Sequence, residues 1–191
     1  ILAIMLAMLS AAGIAAGTTI LYSGMRVIMR TEGGFVAAGG PYEIAHPAPD
    51  WAWLIPLAVM TAIMLVMFNV FAAWRGQGIN LVAVWWSALF IALGWNFLDF
   101  GISSPFGGGI EWGWLIPGVL FWVMGLAPLV LLGRWFREGW RRVRDRQMTL
   151  PGPGMFGMPS AEVPVAYVVA QVAGIALGVI GGIALFQVVA G

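Results

Sequence analysis

Five long apolar stretches constrain the fold of this chain more than any other feature. They cover residues 2–27, 51–74, 79–100, 112–133 and 164–189. About 20 apolar residues cross the ~30 Å hydrocarbon core of a bilayer as a helix, whereas barrel strands are shorter and alternate in hydropathy. An isolated strand would also leave backbone groups unpaired in lipid. The sequence therefore predicts an all-α integral membrane protein, with about five transmembrane helices in a single domain over residues 1–191.

The composition agrees with a lipid environment and excludes several kinds of chemistry. Hydrophobic residues make up 61% of the chain and charged residues 9%, against roughly 25% charged residues in soluble domains. The chain has no cysteine and one histidine, which excludes a disulfide framework, a thiolate metal site and a bis-histidine haem within the chain. No zinc-protease, serine-hydrolase or phosphate-loop motif is present. We therefore expect no enzymatic activity, and the identity of any cofactor stays open.

Six of the nine basic residues fall in one linker, which covers residues 134–160. Short loops that are rich in arginine stay in the cytoplasm, so the linker and the N-terminus are predicted to be cytoplasmic and the C-terminus external, in a plasma membrane of the bacterial type. Arg26 and Arg30 fall on the external side and conflict mildly with this orientation. We also expect the linker to attract anionic lipid headgroups. Its arginines are Arg134, Arg137, Arg141, Arg142, Arg144 and Arg146.

Small residues recur every four positions along two of the predicted spans. The first span carries Gly13 and Gly17, and the fifth carries a longer series. Small side chains at this spacing allow two helix backbones to approach closely in lipid. The pattern predicts helix packing, and it leaves open whether the partner helix belongs to the same chain. The series in the fifth span consists of Ala170, Gly174, Gly178 and Gly182.

The third span carries polar residues near its predicted external end. Asn96, Asp99 and Ser103 are spaced so that they share one helix face, and Glu111 follows across a glycine-rich turn. A carboxylate in a span is costly, and it often marks an ion, proton or headgroup site. The alternative is an interfacial carboxylate that is hydrogen-bonded to Asn96 or to loop backbone.

The loop before the second span contains the single histidine, His46, between Glu43 and Asp50. These three residues are weak candidates for a metal site, because Pro47 and Pro49 exclude helical geometry between them. His46 is also a weak candidate for binding a pigment or another cofactor. The alternative is a histidine that only packs or hydrogen-bonds within the loop.

Three functions are compatible with these features. The first is a non-catalytic subunit or scaffold of a larger membrane complex, with membrane lipids and other membrane subunits as partners and no nucleic acid. The second is a small transporter or channel component that uses Asp99 and Asn96. The third is a binder of pigment, quinone or lipid that uses His46 and tryptophans deep in the spans, Trp95 among them.

Overall fold

The computed structural model describes residues 1–30, 49–104, 109–151 and 162–191 of the chain. Within these ranges the five predicted spans form five helices, each long and apolar enough to cross a membrane. This confirms the all-α membrane fold. The helices are α1 (Leu2–Arg30), α2 (Leu54–Trp74), α3 (Val82–Ile102), α4 (Trp112–Arg144) and α5 (Val165–Ala190).

The helix boundaries differ from the predicted spans by up to three residues, and by about 11 residues at the end of α4. α3 begins at Val82 instead of residue 79, because side chains from other helices hold the preceding residues in a turn. α4 continues to Arg144, about 11 residues past the predicted end of its span. The extension carries the Glu138–Arg142 ion pair on one face, which is the i,i+4 spacing that supports helices in water.

A short antiparallel hairpin follows the α4 extension. Its strands are β1 (Thr149–Pro151) and β2 (Glu162–Pro164), and Leu150 pairs with Val163. Val163 is buried in the same apolar cluster as Ile79 and Leu81 from the turn before α3. The hairpin therefore covers the end of the bundle at which α4 continues past its predicted span.

α1 lies at the centre of the bundle and packs against α2, α3 and α5, while α4 packs against α3. The glycine face of α5 lies on α1. A Cβ atom built on Gly178 would collide with the carbonyl oxygen of Ala12, and one on Gly182 would lie 2.9 Å from the carbonyl oxygen of Ala16. The partner that the sequence left open is thus a helix of the same chain.

The small residues of α1 lie against α2. A Cβ atom on Gly17 would lie 2.7 Å from the carbonyl oxygen of Ala58, and Gly13 has no space beside Leu65. α1 therefore has α2 on one side and α5 on another. α4 packs against α3 instead, so α4 and α5 have different packing partners.

Candidate functional site

A cleft of about 1050 Å³ separates the α3–α4 pair from the α1–α5 pair. Among the described residues α4 and α5 do not pack against one another, so the cleft opens sideways between them. Phe136 on α4 and Val172 on α5 line it and remain 60% and 55% exposed. Ligand pockets in proteins measure about 300–1,000 Å³. The cleft is therefore large enough for a sizeable organic molecule.

The cleft is long and follows the helices. Its α5 wall extends from Val168 to Ile183, which corresponds to about 22 Å at 1.5 Å per residue. Ile79 and Leu81 line the end next to the hairpin. Gln171 fixes this turn: its Oε1 accepts from the Ile79 N–H at 2.9 Å, and its Nε2 donates to the Ile79 carbonyl at 3.2 Å. That end of the cleft therefore has a well-defined floor.

The walls are almost wholly apolar, and one hydroxyl group stands out. Ser87 lines the cleft and is only 2% exposed, and its Oγ has no hydrogen-bond partner among the described residues. Thr18 and Thr19 also line the cleft, but their hydroxyls donate to α1 carbonyls at 2.8 Å. A buried hydroxyl without a partner costs about 1–3 kcal/mol. Ser87 is thus a buried polar group beside the cleft that has no protein partner among the described residues.

Two tryptophans form a flat aromatic wall further along the cleft. Trp95 of α3 and Trp122 of α4 are stacked, with ring centroids 6.1 Å apart and an interplanar angle of 21°. Trp122 Nε1 donates to the Ile91 carbonyl at 3.2 Å, so its polar edge is satisfied by protein. The ring faces are left for apolar contact. The position of Trp95 fits the predicted role of a deep tryptophan in ligand binding, which stays a prediction.

A polar network lies beyond the aromatic wall, at the end of the bundle opposite the hairpin. Arg26 is at its centre. Its Nη1 donates to the Tyr22 hydroxyl and to Asn96 Oδ1, both at 3.3 Å, and its Nη2 lies 3.0 Å from Asp99 Oδ2. Arg30 also pairs with Asp99 Oδ2, and Asn96 Nδ2 donates to the Tyr22 carbonyl at 3.2 Å. α1 and α3 are thereby joined at this end.

The structure brings together only part of the predicted polar site. Asn96 and Asp99 share the network, whereas Ser103 ends α3 and contributes a backbone N–H that donates to the Asp99 carbonyl at 2.9 Å. Glu111 caps α4, with its N–H donating to the Gly101 carbonyl. The charged partners of Asp99 among the described residues are Arg26 and Arg30.

The predicted metal and cofactor candidates in the first loop are not assembled into a described site. His46 and Glu43 lie outside the described residues, and Asp50 is exposed in the turn before α2. Among the described residues there is no group of three histidine, aspartate or glutamate side chains that could hold a metal ion.

The α4 extension contains the arginines that were predicted to contact anionic lipids. Arg142 pairs with Glu138 at 3.3 Å and with Glu162 of the hairpin at 3.1 Å, and Arg144 pairs with Asp145. Hydrogen bonds from Arg142 and Thr149 hold the pKa of the Glu162 carboxyl below its ordinary value. The remaining arginines form no ion pair with described residues and stay available to headgroups: Arg134, Arg137, Arg141 and Arg146.

Sequence reasoning missed the arginine partners of Asp99. Arg26 and Arg30 are spaced i,i+4 on α1, so they share a face and can meet one carboxylate. In the sequence both arginines stand out only because they conflict with the orientation rule. The signal that could have identified them is that they and Asp99 were predicted to lie at the same membrane face.

Comparisons of the chain with models of known families, with characterised proteins and with solved structures found no match. The chemistry of the site therefore follows from its geometry. It is an apolar cleft with one unpaired hydroxyl in its wall and a cationic network beyond its aromatic end. Such a site can bind and orient a mainly apolar molecule. It offers no nucleophile with an adjacent base among the described residues.

Proposed function

We propose that this protein is a non-catalytic membrane protein that binds a lipid-phase molecule in the cleft between α4 and α5. The observation that supports this proposal is the cleft itself. It is about 1050 Å³ of apolar space that opens sideways between two helices that do not pack together. An apolar molecule can enter such a site directly from the bilayer.

The walls provide reasons for selecting one molecule over bulk lipid tails. The stacked Trp95 and Trp122 rings favour a flat or unsaturated segment, since aromatic rings prefer offset stacking and edge contacts. The Ser87 Oγ is buried beside the cleft without a partner among the described residues, so a ligand whose carbonyl or hydroxyl oxygen reaches it removes the cost of an unsatisfied group. These features support a quinone-, pigment- or lipid-like molecule with a small number of oxygen atoms.

The test is to purify the protein in mild detergent and to identify co-purifying small molecules by mass spectrometry and visible absorption. Ala88 lines the cleft on α3, and Ala88→Trp should obstruct it and reduce the retained ligand. Ala127→Trp on the exposed face of α4 is the matched control, because Ala127 does not line the cleft. Equal retention by the wild type and by both variants would refute cleft binding.

Ser87→Ala separates ligand binding from stability. Removal of an unpaired buried hydroxyl should leave the unfolding temperature in detergent unchanged or slightly raised. The retained ligand should nevertheless fall, because its oxygen atom loses a partner. A Ser87→Ala protein with full ligand retention would remove Ser87 from the proposed site.

The second candidate is a subunit or scaffold of a larger membrane complex. The small-residue faces no longer favour it, because α1, α2 and α5 use them within the chain. The outer face of α2 supports it instead, since methionine-rich surfaces are frequent at adaptable protein interfaces. A stoichiometric protein partner after gentle solubilisation would favour this candidate. The exposed residues of that face are Met60, Met64, Met67, Phe68 and Phe71.

An ion or proton pathway through Asp99 has less support. Its carboxylate already has two guanidinium partners, and a cation would have to displace both. We further propose that the protein lies in a bacterial-type plasma membrane with the α4 extension in the cytoplasm, on the strength of the arginine distribution.

A further inference from the structure

The aromatic end of the cleft adjoins the arginine network. Tyr22 lines the cleft, and its hydroxyl accepts a hydrogen bond from Arg26. Trp95 lines the cleft as well, and the next residue, Asn96, accepts from Arg26. A molecule that fills the aromatic end of the cleft therefore has the arginine network directly beyond it.

The network carries an excess of positive charge. Arg26 and Arg30 share one carboxylate, Asp99, so the three side chains sum to +1. Arg30 remains 47% exposed although it pairs with Asp99. A guanidinium has five N–H donors, and within the described ranges Arg30 pairs with one carboxylate oxygen, which leaves donors that can face the headgroup region.

The depth of the network matches a lipid headgroup. Arg30 is the last residue of α1 and lies about 12 Å along the helix beyond Tyr22. The cleft thus ends in the apolar zone, and the guanidinium of Arg30 lies where a transmembrane helix reaches the membrane surface. A ligand that occupies both parts needs an apolar chain and an anionic group at one end.

We infer that the Arg26–Arg30 network binds the phosphate of an anionic phospholipid whose acyl chain lies in the cleft. The inference rests on the proposed function and specifies the class of ligand. Guanidinium groups bind phosphate oxygens through paired, charge-assisted hydrogen bonds. A net headgroup charge of −1 matches the +1 of the network. The choline group of a zwitterionic lipid would instead bring a second cation close to Arg30.

The experiment compares phosphatidylglycerol with phosphatidylcholine carrying the same acyl chains. Retention of each lipid on the full chain is measured by native mass spectrometry after exchange into detergent. We expect wild-type protein to retain the anionic lipid preferentially, and Arg30→Gln to reduce its retention about tenfold while retention of phosphatidylcholine does not change. Arg75→Gln, at the exposed C-cap of α2 on the opposite side of the bundle, is the matched control.

Two further measurements make each outcome decisive. High salt should weaken the preference of the wild type for the anionic lipid, which requires no variant to fold. Arg30→Lys keeps the charge and should keep part of the preference. Equal retention of both lipids by the wild type, or no effect of Arg30→Gln, would overturn the inference.

The failure of the inference differs from the failure of the proposed function. Ala88→Trp should reduce the retention of both lipids if the cleft holds the acyl chain. Loss of both lipids in Ala88→Trp without any headgroup preference would retain the proposed cleft and reject the arginine site. Inorganic phosphate is the third probe. If it displaces phosphatidylglycerol at millimolar concentration and binds equally well to Ala88→Trp, the network is a site for free phosphate and the lipid assignment is wrong.

Discussion

The Trp86 indole N–H of α3 donates a hydrogen bond at 3.3 Å to the Met124 carbonyl oxygen of α4. This carbonyl is the one that would accept from residue 128 in a regular helix. Residue 128 is a proline and has no N–H. An unpaired carbonyl in lipid is costly, and polar side chains of neighbouring helices commonly satisfy it. The indole of Trp86 therefore replaces the backbone hydrogen bond that Pro128 cannot donate within α4.

This relationship gives the first prediction, a double-mutant cycle. Trp86→Phe should destabilise the wild-type protein by about 0.5–1.5 kcal/mol, because it leaves the Met124 carbonyl without a partner. In a Pro128→Ala background the new backbone N–H supplies that partner, so Trp86→Phe should have little effect. Thermal unfolding of the four proteins in one detergent measures the coupling. Purely additive effects would show that the tryptophan does not serve the proline.

The second prediction concerns the α1–α5 interface. Gly178→Ala should destabilise the protein by about 1–3 kcal/mol, because the added methyl collides with the backbone of Ala12. Gly181→Ala is the matched control on the same helix, since nothing lies within 4 Å of a Cβ atom there. It should be neutral or slightly stabilising, because alanine favours helix over glycine. Equal unfolding temperatures would mean that the close approach at Gly178 is not required for stability.

The sequence predicts the fold well because lipid leaves few alternatives. Apolar length alone identified each span, and in a bilayer this length dictates a helix. The ends of helices were less predictable. Ile79 and Leu81 are apolar enough to continue α3, yet they lie outside the helix because Gln171 and Asn69 bind their backbone from other helices. Such long-range partners leave no local pattern in the sequence.

The cleft could not be predicted from the sequence for the same reason. A cleft depends on which helices do not pack, and the small-residue faces indicate only which helices can. Trp95 and Trp122 were recognisable as deep tryptophans, but their stacking requires the register between α3 and α4. The pairing of Asp99 with Arg26 similarly requires the proximity of α1 and α3, which are separated in the chain by the whole of α2.

The third prediction concerns the turn before α3. Gln171 is fully buried and satisfies both backbone groups of Ile79. Gln171→Met keeps the volume and removes both hydrogen bonds, so we expect a loss of about 2–5 kcal/mol in the free energy of unfolding. Gln187→Met at an exposed position of α5 is the control and should be nearly neutral. Equal stability of the two variants would show that the turn does not depend on Gln171.

The fourth prediction is a pH dependence of hairpin docking. The pKa of the Glu162 carboxyl is lowered from 4.5, chiefly by the hydrogen bond from Arg142 and then by that from Thr149. A depressed pKa means that this carboxylate stabilises the folded state above pH 4.5 and that the contribution is lost as the pH falls through the lower folded value. Glu162→Gln should therefore unfold earlier than the wild type near neutral pH. The difference should vanish in acid. A difference that does not change with pH would assign the effect to packing instead of charge.

The last prediction is the orientation of the bundle. Seven of the nine arginines lie on the side of the α4 extension, and the rule counts arginines near the spans with little regard to nearby acids. The pairing of Arg26 and Arg30 with Asp99 therefore does not remove these two arginines from the count. The seven arginines on the other side outnumber them, so we expect that side to be cytoplasmic.

The native chain has no cysteine, so a single cysteine can be introduced at any exposed site to test this orientation. Asp50→Cys should react with a membrane-impermeant maleimide on intact cells, and Arg137→Cys should react only after the membrane is opened. Both positions are exposed in the structure, so a difference in labelling reports the membrane side and not burial. The reverse pattern would place the α4 extension outside and would show that the Arg26–Arg30 side of the bundle faces the cytoplasm.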